Sequence, residues 1–322
     1  MKTVTGENNW ILTVRRDAYG VTVLRAFTCD ERAVLPERLM GQEVIALGDH
    51  ALCPDAAEAG GERIRVVGAP AAAEWDNRVL RELTLPPGLR SAGSYALMNC
   101  RELCTLRLTD RPVAYGTGVL MNCRSLRRII LNRNGGKPGE ALAWFSSELS
   151  GELDISVEEG GRRTARLILP AYYEEYVENC PAHHFDYRVH GAGQPYHHVF
   201  DNRTLDYSAY DALWPKLLAG EHETETALRL AWWRVCCPEG LTPDGASRYW
   251  AYLSEHTAET LDYLLSLRET AYLTMFLSRV SCGTEVLRGA SERARKDQNT
   301  AASAVLLEEM HRRGNPRKRY EL

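Results

Sequence analysis

Histidines are the residues of this sequence with the most direct chemical potential. Five of the nine histidines fall within residues 183–198. Imidazole nitrogens bind metal ions and act as general bases, so such a cluster brings a metal-dependent hydrolase into consideration. Adjacent histidines usually point in different directions, and no pair has the spacing of a helical metal site, so we expect packing and surface roles. The histidines are His183, His184, His190, His197 and His198.

The cysteines are the second set of reactive side chains. The sequence has nine, and none belongs to a CxxC pair of the kind that holds zinc. Cys100 and Cys123 occupy equivalent positions of an internal repeat, and neighbouring strands bring such positions within disulfide reach. Free cysteine behaves as a small hydrophobic side chain, so the favoured interpretation is a buried, reduced thiol at both positions.

Short motifs of the common enzyme classes are missing from the sequence. It contains no nucleophile elbow, no HExxH helix and no dinucleotide fingerprint. The segment 134–137, NGGK, has the glycines of a phosphate loop, but Pro138 follows directly and opposes the required helix start. We therefore expect no enzymatic activity, no bound metal and no cofactor.

The composition indicates a folded protein of weak overall charge. The chain has 322 residues, is 44% hydrophobic and carries a formal net charge of -4, which gives no general reason to bind nucleic acid or anionic membranes. The N-terminus lacks an export signal and no segment has the ~20 apolar residues of a membrane span, so we expect a soluble cytoplasmic protein. A basic run near the end is the local exception and consists of Arg312, Arg313, Arg317, Lys318 and Arg319.

An internal repeat is the strongest feature of the sequence. The segment 93–103, GSYALMNCREL, recurs as 116–126, GTGVLMNCRSL, a period of 23 residues. The same offset relates Leu83, Leu106 and Ile129, and a leucine follows two residues after each of them. Apolar residues at every second position indicate a strand with one buried face. Each unit therefore contains a strand, a turn, one short helical turn and another turn.

Units of this size cannot bury their own apolar faces, so they must stack on one another. The repeat thus predicts a leucine-rich-repeat-like β solenoid of 23-residue coils over residues 1–193. An earlier coil is predicted at 34–53, and a degraded coil at 54–80 with 64–67 as its strand. Two closing strands are predicted at 153–157 and 166–170.

The repeat unit resembles the BspA-type leucine-rich-repeat family of bacteria. Units of that family have a proline after a strand, an apolar residue before glycine, an Ala-Phe pair and a Cys-x-x-Leu step. The chain carries these elements as Leu85-Pro86, Ala92-Gly93, Ala96-Leu97 and Cys100 to Leu103. Leucine replaces the phenylalanine of the family. The resemblance covers residues 25–135 and, more loosely, residues up to about 190; it implies a solenoid and no particular activity.

A change of periodicity marks the second half of the chain. The breaker cluster Gly191–Pro195 ends the strand pattern, and helical spacing follows, so we predict an all-α domain of helix pairs over 194–322 and an α+β protein overall. The segments 169–182 and 205–211 resemble intracellular BspA-type members that append a helical domain. The pairing of the later helices resembles ankyrin-like or other α-solenoid repeats. The predicted helices are 208–219, 222–236, 243–255, 258–266, 269–280, 284–296 and 299–313.

Two features of the predicted helices concern their ends and their buried faces. Thr242 is suited to cap the helix that begins at Pro243. In the last helix pair, apolar residues form two narrow stripes. These residues are Leu287, Ala290 and Ala294, followed by Ala301, Ala304, Leu306, Leu307 and Met310. The aromatic run around Trp232 and Trp233 is assigned to the helical core, with a peptide groove as the alternative.

The side chains between the buried strand positions define a candidate binding face. In a stacked repeat they form columns on the outside of the sheet, and solenoids commonly bind partners on such a face. We expect a non-enzymatic scaffold that binds another protein there; the alternative is a nucleic-acid-associated or defence-type accessory protein that uses the basic run. The face consists of Glu82, Thr84, Thr105, Arg107, Thr109, Arg128, Ile130 and Asn132.

Overall fold

The computed structural model describes residues 1–68, 75–111, 113–144, 146–179, 184–201, 203–220 and 222–314. Strands prevail up to residue 205 and α-helices follow from residue 207, which confirms the predicted α+β class. The chain divides into two compact units. Unit 1 comprises Met1–His222 and Cys237–Leu241, and unit 2 comprises Glu223–Cys236 and Thr242–Leu322.

The strands of unit 1 are mostly short, as a repeat of 23 residues requires. In chain order they are β1 (Lys2–Thr5), β2 (Trp10–Arg16), β3 (Val21–Thr28), β4 (Arg32–Val34), β5 (Arg38–Leu39), β6 (Gln42–Leu47), β7 (Glu62–Val67), β8 (Glu82–Thr84), β9 (Ser91–Ala92), β10 (Thr105–Thr109), β11 (Ala114–Tyr115), β12 (Arg128–Arg133), β13 (Leu153–Glu159), β14 (Arg162–Leu169), β15 (Tyr173–Asn179), β16 (His184–His190), β17 (Phe200–Asp201) and β18 (Thr204–Leu205).

One sheet is built from the predicted repeat strands, in the order β14-β13-β12-β10-β8-β4. Strands β4, β8, β10, β12 and β13 run parallel, and β14 closes the sheet antiparallel to β13. Leu106 lies between Leu83 and Ile129 in the register, so the predicted 23-residue offset is the spacing of neighbouring strands. The predicted closing strands are confirmed as β13 and β14.

A second sheet has the order β1-β7-β2-β3-β6-β9-β11, and β5 pairs with β6. Its short strands β6, β9 and β11 also pair in parallel and again follow the repeat, because Ala92 lies between Leu47 and Tyr115. The prediction for residues 64–67 was wrong in placement. They form β7, which pairs with β1 and β2 in this second sheet and not with the repeat strands.

The core of unit 1 contains the inward side chains of the repeat. Leu83, Leu106 and Ile129 are at most 2% exposed. Cys100 and Cys123 are buried free thiols, as predicted, and each donates its Sγ–H to a backbone carbonyl of the preceding coil. Burial raises the pKa of Cys123 to about 12 and raises that of Cys100 well above its ordinary value. These thiols therefore stay protonated and act as small apolar side chains.

Residues 194–222 belong to unit 1, so the predicted junction at 193/194 lies inside that unit. Side-chain hydrogen bonds hold this segment to the strands. The Tyr210 hydroxyl donates to the Ile168 carbonyl at 2.7 Å and accepts from the Ile168 N–H at 3.2 Å. Such contacts between residues distant in sequence follow no local pattern.

The α-helices match the predicted ones closely, except that the first is divided in two ahead of Pro215. Thr242 caps α4, since its hydroxyl accepts from the Gly245 N–H at 3.1 Å. No helix of the described residues is long and apolar enough to cross a membrane. The helices are α1 (Tyr207–Ala212), α2 (Trp214–Ala219), α3 (Thr224–Cys236), α4 (Pro243–Glu255), α5 (Thr257–Ser266), α6 (Thr270–Arg279), α7 (Thr284–Lys296) and α8 (Thr300–Gly314).

Candidate protein-binding surface

The predicted binding face forms columns across the repeat sheet. Thr105 lies between Glu82 and Arg128 in the register. Arg107 lies between Thr84 and Ile130 in the same way, and Thr109 is paired with Asn132. The structure thus places the eight residues side by side as the period predicts. Whether they bind a partner remains a prediction.

The expectation that Ile130 is exposed was wrong, since its exposed fraction is 4%. Arg107 on β10 bonds to Glu158 on β13, with Nη1 to Oε2 at 2.9 Å, and the same Nη1 donates to Asn132 Oδ1 at 3.2 Å. To make the bond to Glu158, the side chain must cross β12. Arg107 therefore makes internal contacts across the predicted face.

Charges at the β13–β14 end of the same face are also paired internally. Arg166 Nε donates to Asp154 Oδ1 at 2.7 Å, and both side chains are largely buried. Ser156, which is paired with Arg166 in the register, is 0% exposed. Of the eight residues of the predicted face, Ile130 is buried and the other seven are half-exposed.

A hairpin that the sequence analysis did not predict exposes the largest concentration of aromatic surface. Strands β15 and β16 pair antiparallel as a two-stranded sheet, with Tyr176 opposite Tyr187 and Tyr173 opposite His190. The rings of Tyr176 and Tyr187 lie 5.0 Å apart between centroids. Those of Tyr173 and His190 are stacked at 4.4 Å, on the opposite face of the ribbon.

The hairpin side chains are open to solvent although they are large. Tyr176 is 68% exposed, Tyr173 58%, Tyr187 48% and Val189 37%. Most tyrosines of a folded protein are at least half-buried, and a local group of exposed aromatic residues marks an interaction site. We call Tyr176, Tyr187 and Val189 the aromatic face, because the register places them on one side of the ribbon.

Hydrogen bonds to carboxylates fix the orientation of the hairpin rings. The Tyr187 hydroxyl donates to Glu174 Oε1 at 2.6 Å, and His190 Nε2 lies 2.9 Å from Glu175 Oε2. These hydrogen bonds restrain the side-chain dihedral angles of Tyr187 and His190. Restrained side chains lose less conformational entropy when a partner binds. Within the aromatic face, the Tyr187 ring is therefore held in one orientation although it is exposed.

The bond to Glu174 raises the pKa of Tyr187 to about 12, because the carboxylate accepts from the neutral hydroxyl and its charge opposes the phenolate. We expect Glu174→Gln to lower this pKa toward the ordinary value of about 10. Tyrosine Cζ chemical shifts followed by NMR between neutral and alkaline pH measure the transition. Glu175→Gln is the matched control and should leave it in place. An unchanged Tyr187 transition in Glu174→Gln would contradict the assignment.

The described histidines of the predicted cluster lie in two separate elements, the strand 184–190 and the turn 194–198. His183 lies outside the described residues, His184 and His190 are on β16, and His198 is exposed. His197 is completely buried, with Nδ1 at 3.1 Å from the Ser146 carbonyl and Nε2 at 3.0 Å from the Pro170 carbonyl. Among the described residues, no three His, Cys, Asp or Glu side chains group in a way that could hold a metal ion.

The basic run is partly neutralised by its own helix. Arg312 Nη2 lies 2.8 Å from Glu309 Oε1, and Arg313 also pairs with Glu309. These pairings lower the pKa of Glu309. The remaining basic residues of the run, Arg317, Lys318 and Arg319, lie outside the described residues. Within the described part of α8, two of the cations are therefore committed to an internal carboxylate.

Comparison with known proteins gives one distant similarity. No model of a protein family matches the chain, and no curated protein matches it. A crystal structure of a leucine-rich cell surface protein from Faecalibacterium prausnitzii A2-165 is similar at a TM-score of 0.28 and 18% sequence identity. The match covers 51% of this chain and 40% of the other, so this chain spans well under half the length of that protein.

Proposed function

We propose that this chain is a non-enzymatic protein-interaction module, with a leucine-rich-repeat-like β solenoid of the BspA type in unit 1 and ankyrin-like helix pairs in unit 2. The 23-residue register of Leu83, Leu106 and Ile129 supports the repeat architecture. Helices α3 with α4 and α7 with α8 pack as neighbours, which supports the helix-pair description. Repeat architectures of both kinds are commonly used to bind other proteins.

The aromatic face of the hairpin is the observation that carries the proposal. Tyrosine combines a large apolar area with a polar hydroxyl and loses little rotamer freedom on binding, so it is enriched among the residues that dominate interface energetics. Tyr176 and Tyr187 offer two such side chains in direct ring contact, with Val189 beside them. A protein surface that presents an apolar pocket can bury all three at once.

The charge of the hairpin favours a protein partner over nucleic acid. Strand β15 carries Glu174, Glu175 and Glu178 beside its tyrosines, and carboxylates repel a phosphate backbone. The same carboxylates suit a partner whose apolar pocket has a basic rim. We therefore assign the hairpin, and not the basic run, as the principal contact.

A non-catalytic role is supported by what the buried titratable groups do. Asp110 has its pKa raised by burial, and its carboxylate accepts hydrogen bonds from the Gly139 and Ala141 N–H groups at 2.7 and 3.2 Å. His197 contacts two backbone carbonyls. Both groups are occupied in joining chain segments, the use expected of structural polar residues.

Differential capture tests the proposal. The intact chain and the double variant Tyr176→Ser/Tyr187→Ser are used as baits in the same native extract, followed by quantitative mass spectrometry. We expect at least one protein to be enriched by the wild type and depleted about 10-fold or more with the double variant, since aromatic anchors contribute about 2 kcal/mol or more to such contacts. The matched control is Tyr19→Ser, because Tyr19 is 80% exposed and lies far from the hairpin in sequence.

Two results would overturn the assignment. Identical enrichment by the wild type and the double variant would exclude the aromatic face as the contact. Equal loss with Tyr19→Ser would show that exposed tyrosines bind proteins without selectivity. Thermal unfolding of each bait verifies that the variants are folded, which is expected because the substituted side chains are exposed.

A further inference from the structure

The hairpin has sheet edges that no other described strand covers. Among the described strands, β15 pairs with β16 and with nothing else, so each presents an outer row of backbone N–H and C=O groups. Such rows are templates for pairing with another strand. A two-stranded ribbon is also marginally stable on its own and gains from additional strands. The question is which strand fits.

Strand β16 is complementary to itself. Its sequence, HFDYRVH over His184–His190, has Asp186 and Arg188 symmetrically placed about Tyr187. When two copies run antiparallel with Tyr187 opposite Tyr187, each Asp186 lies opposite Arg188 of the second copy. Opposite charges at directly paired positions stabilise an antiparallel ladder, and like charges destabilise it. This register therefore forms two favourable charge pairs at once.

Strand β15 does not have this property. Its sequence, YEEYVEN over Tyr173–Asn179, contains three glutamates and no cation. Two copies that run antiparallel about Tyr176 would place Glu174 opposite Glu178 of the second copy. The charge pattern thus selects the β16 edge over the β15 edge for self-association.

The charged side chains of β16 are accessible for such pairing. The side chains of Arg188 and Asp186 are 60% and 45% exposed, and Arg188 Nη2 lies 3.8 Å from Asp186 Oδ2 within the strand. Their exposure lets both side chains reach a strand that adds to this edge. Both side chains lie on the side of the ribbon opposite the aromatic face.

We propose that β16 pairs antiparallel with β16 of a second copy of this chain, so that two hairpins form one four-stranded sheet about a twofold axis at Tyr187. The contact is isologous, because each copy contributes the same strand. It brings the aromatic faces of the two copies together into one larger surface. The inference stands independently of the proposed function, because backbone edges make the contact and the aromatic faces stay open.

Sedimentation velocity on the intact chain tests the pairing. The chain has a mass of 36.2 kDa. As the wild-type concentration is raised to about 100 µM, we expect the sedimenting species to change from monomer to dimer. In the Asp186→Arg variant, the paired positions 186 and 188 both carry arginine, so the facing charges repel. In the Arg188→Asp variant both positions carry aspartate, and the facing charges repel again. Each single variant should weaken the dimer about 10-fold or more.

An equimolar mixture of the two single variants provides the decisive result. In the mixed pair, the two arginines of the Asp186→Arg variant lie opposite the two aspartates of the Arg188→Asp variant. A heterodimer should therefore form although each variant by itself is monomeric, and a variant that failed to fold could not give this result. Glu178→Arg is the matched control, since it makes the same change of charge on β15 and should leave the dimer intact.

Three outcomes would overturn the pairing. A wild type that stays monomeric up to about 100 µM excludes it at any meaningful affinity. A dimer that survives both single variants uses another surface. Monomeric variants that fail to form the heterodimer, while keeping the thermal stability of the wild type, show that the charges act elsewhere.

Discussion

Replacing Trp232 with alanine is expected to destabilise unit 2 by roughly 3 to 5 kcal/mol, the cost of deleting a fully buried indole. Trp232 on α3 is 0% exposed and contacts Trp250, Tyr272 and Phe276 edge to face, with centroids about 6 Å apart. Helices α3, α4 and α6 therefore share this one side chain as their common packing point. Its loss leaves a cavity that three helices must accommodate together.

Urea unfolding and amide hydrogen exchange measure this effect. We expect a lower unfolding midpoint and faster exchange in α3, α4 and α6 of the Trp232→Ala variant. Leu307→Ala is the control, because Leu307 on α8 is 55% exposed and its truncation should change stability by less than about 0.5 kcal/mol. If the Trp232→Ala variant had the same free energy of unfolding as the control, the result would contradict the core assignment and favour the alternative that these aromatic residues line a peptide groove.

Replacing His197 with alanine is expected to destabilise unit 1 by roughly 3 to 5 kcal/mol, because it removes a buried ring and leaves two buried carbonyls without their contact. The neutral imidazole lies between the Ser146 and Pro170 carbonyls, can donate its one N–H to either of them, and packs edge-on against Tyr172. It therefore connects three segments that are distant in sequence. The measurement is urea unfolding followed by circular dichroism, with exposed His198→Ala as the control.

The pH dependence of stability provides a second readout for His197. Burial lowers the pKa of the ring in the folded state, and this effect exceeds the opposing effect of the two carbonyls. The unfolded chain then binds the proton more readily than the folded chain does. The stability that neutral His197 contributes is therefore fully present above about pH 6.5, and it is lost as the pH falls through the pKa of the folded state. The His197→Ala variant should lack this acid-side decline. A variant within about 1 kcal/mol of wild type at neutral pH, with the same pH profile, would contradict the role of His197.

The repeat could be predicted because its information is periodic. The offset that relates Leu83, Leu106 and Ile129 in the sequence is the register of the sheet, since each coil must place the same residue over its neighbour. The helices of unit 2 were predicted for a similar reason, as their spacing and the Thr242 cap are local signals. Residues 62–67 have the same alternation, but alternation does not specify which sheet a strand joins.

Errors of detail arose where charged side chains are buried. On α8 the predicted stripe included Ala301, Ala304 and Leu307, which are exposed, and Leu306, which is buried as predicted. The buried positions Ala302 and Glu309 were not in the predicted stripe. A glutamate is expected on the surface, and only its pairing with two arginines lets it turn inward. Ile130 is the converse case, because it lies on the face predicted to be exposed and is buried.

The hairpin was missed because it has no buried face. Strands are recognised from sequence by apolar residues on one side, and β15 and β16 place tyrosines and charges on both. The tyrosines and glutamates concentrated in 173–179 were the available signal. A strand pair that is exposed on both sides lacks the apolar pattern by which a sequence reveals its strands, and this explains why the candidate site lay outside the residues predicted from the repeat.

Site-specific photocrosslinking tests most directly whether the aromatic face is the protein-binding surface. A benzophenone amino acid is placed at position 176 in one sample and at position 19 in another, and each is irradiated in native extract. The account predicts a discrete covalent adduct to a protein from position 176, suppressed by excess unmodified chain, and none from position 19. Equal labelling from both positions, or no adduct to a protein from position 176, would contradict it.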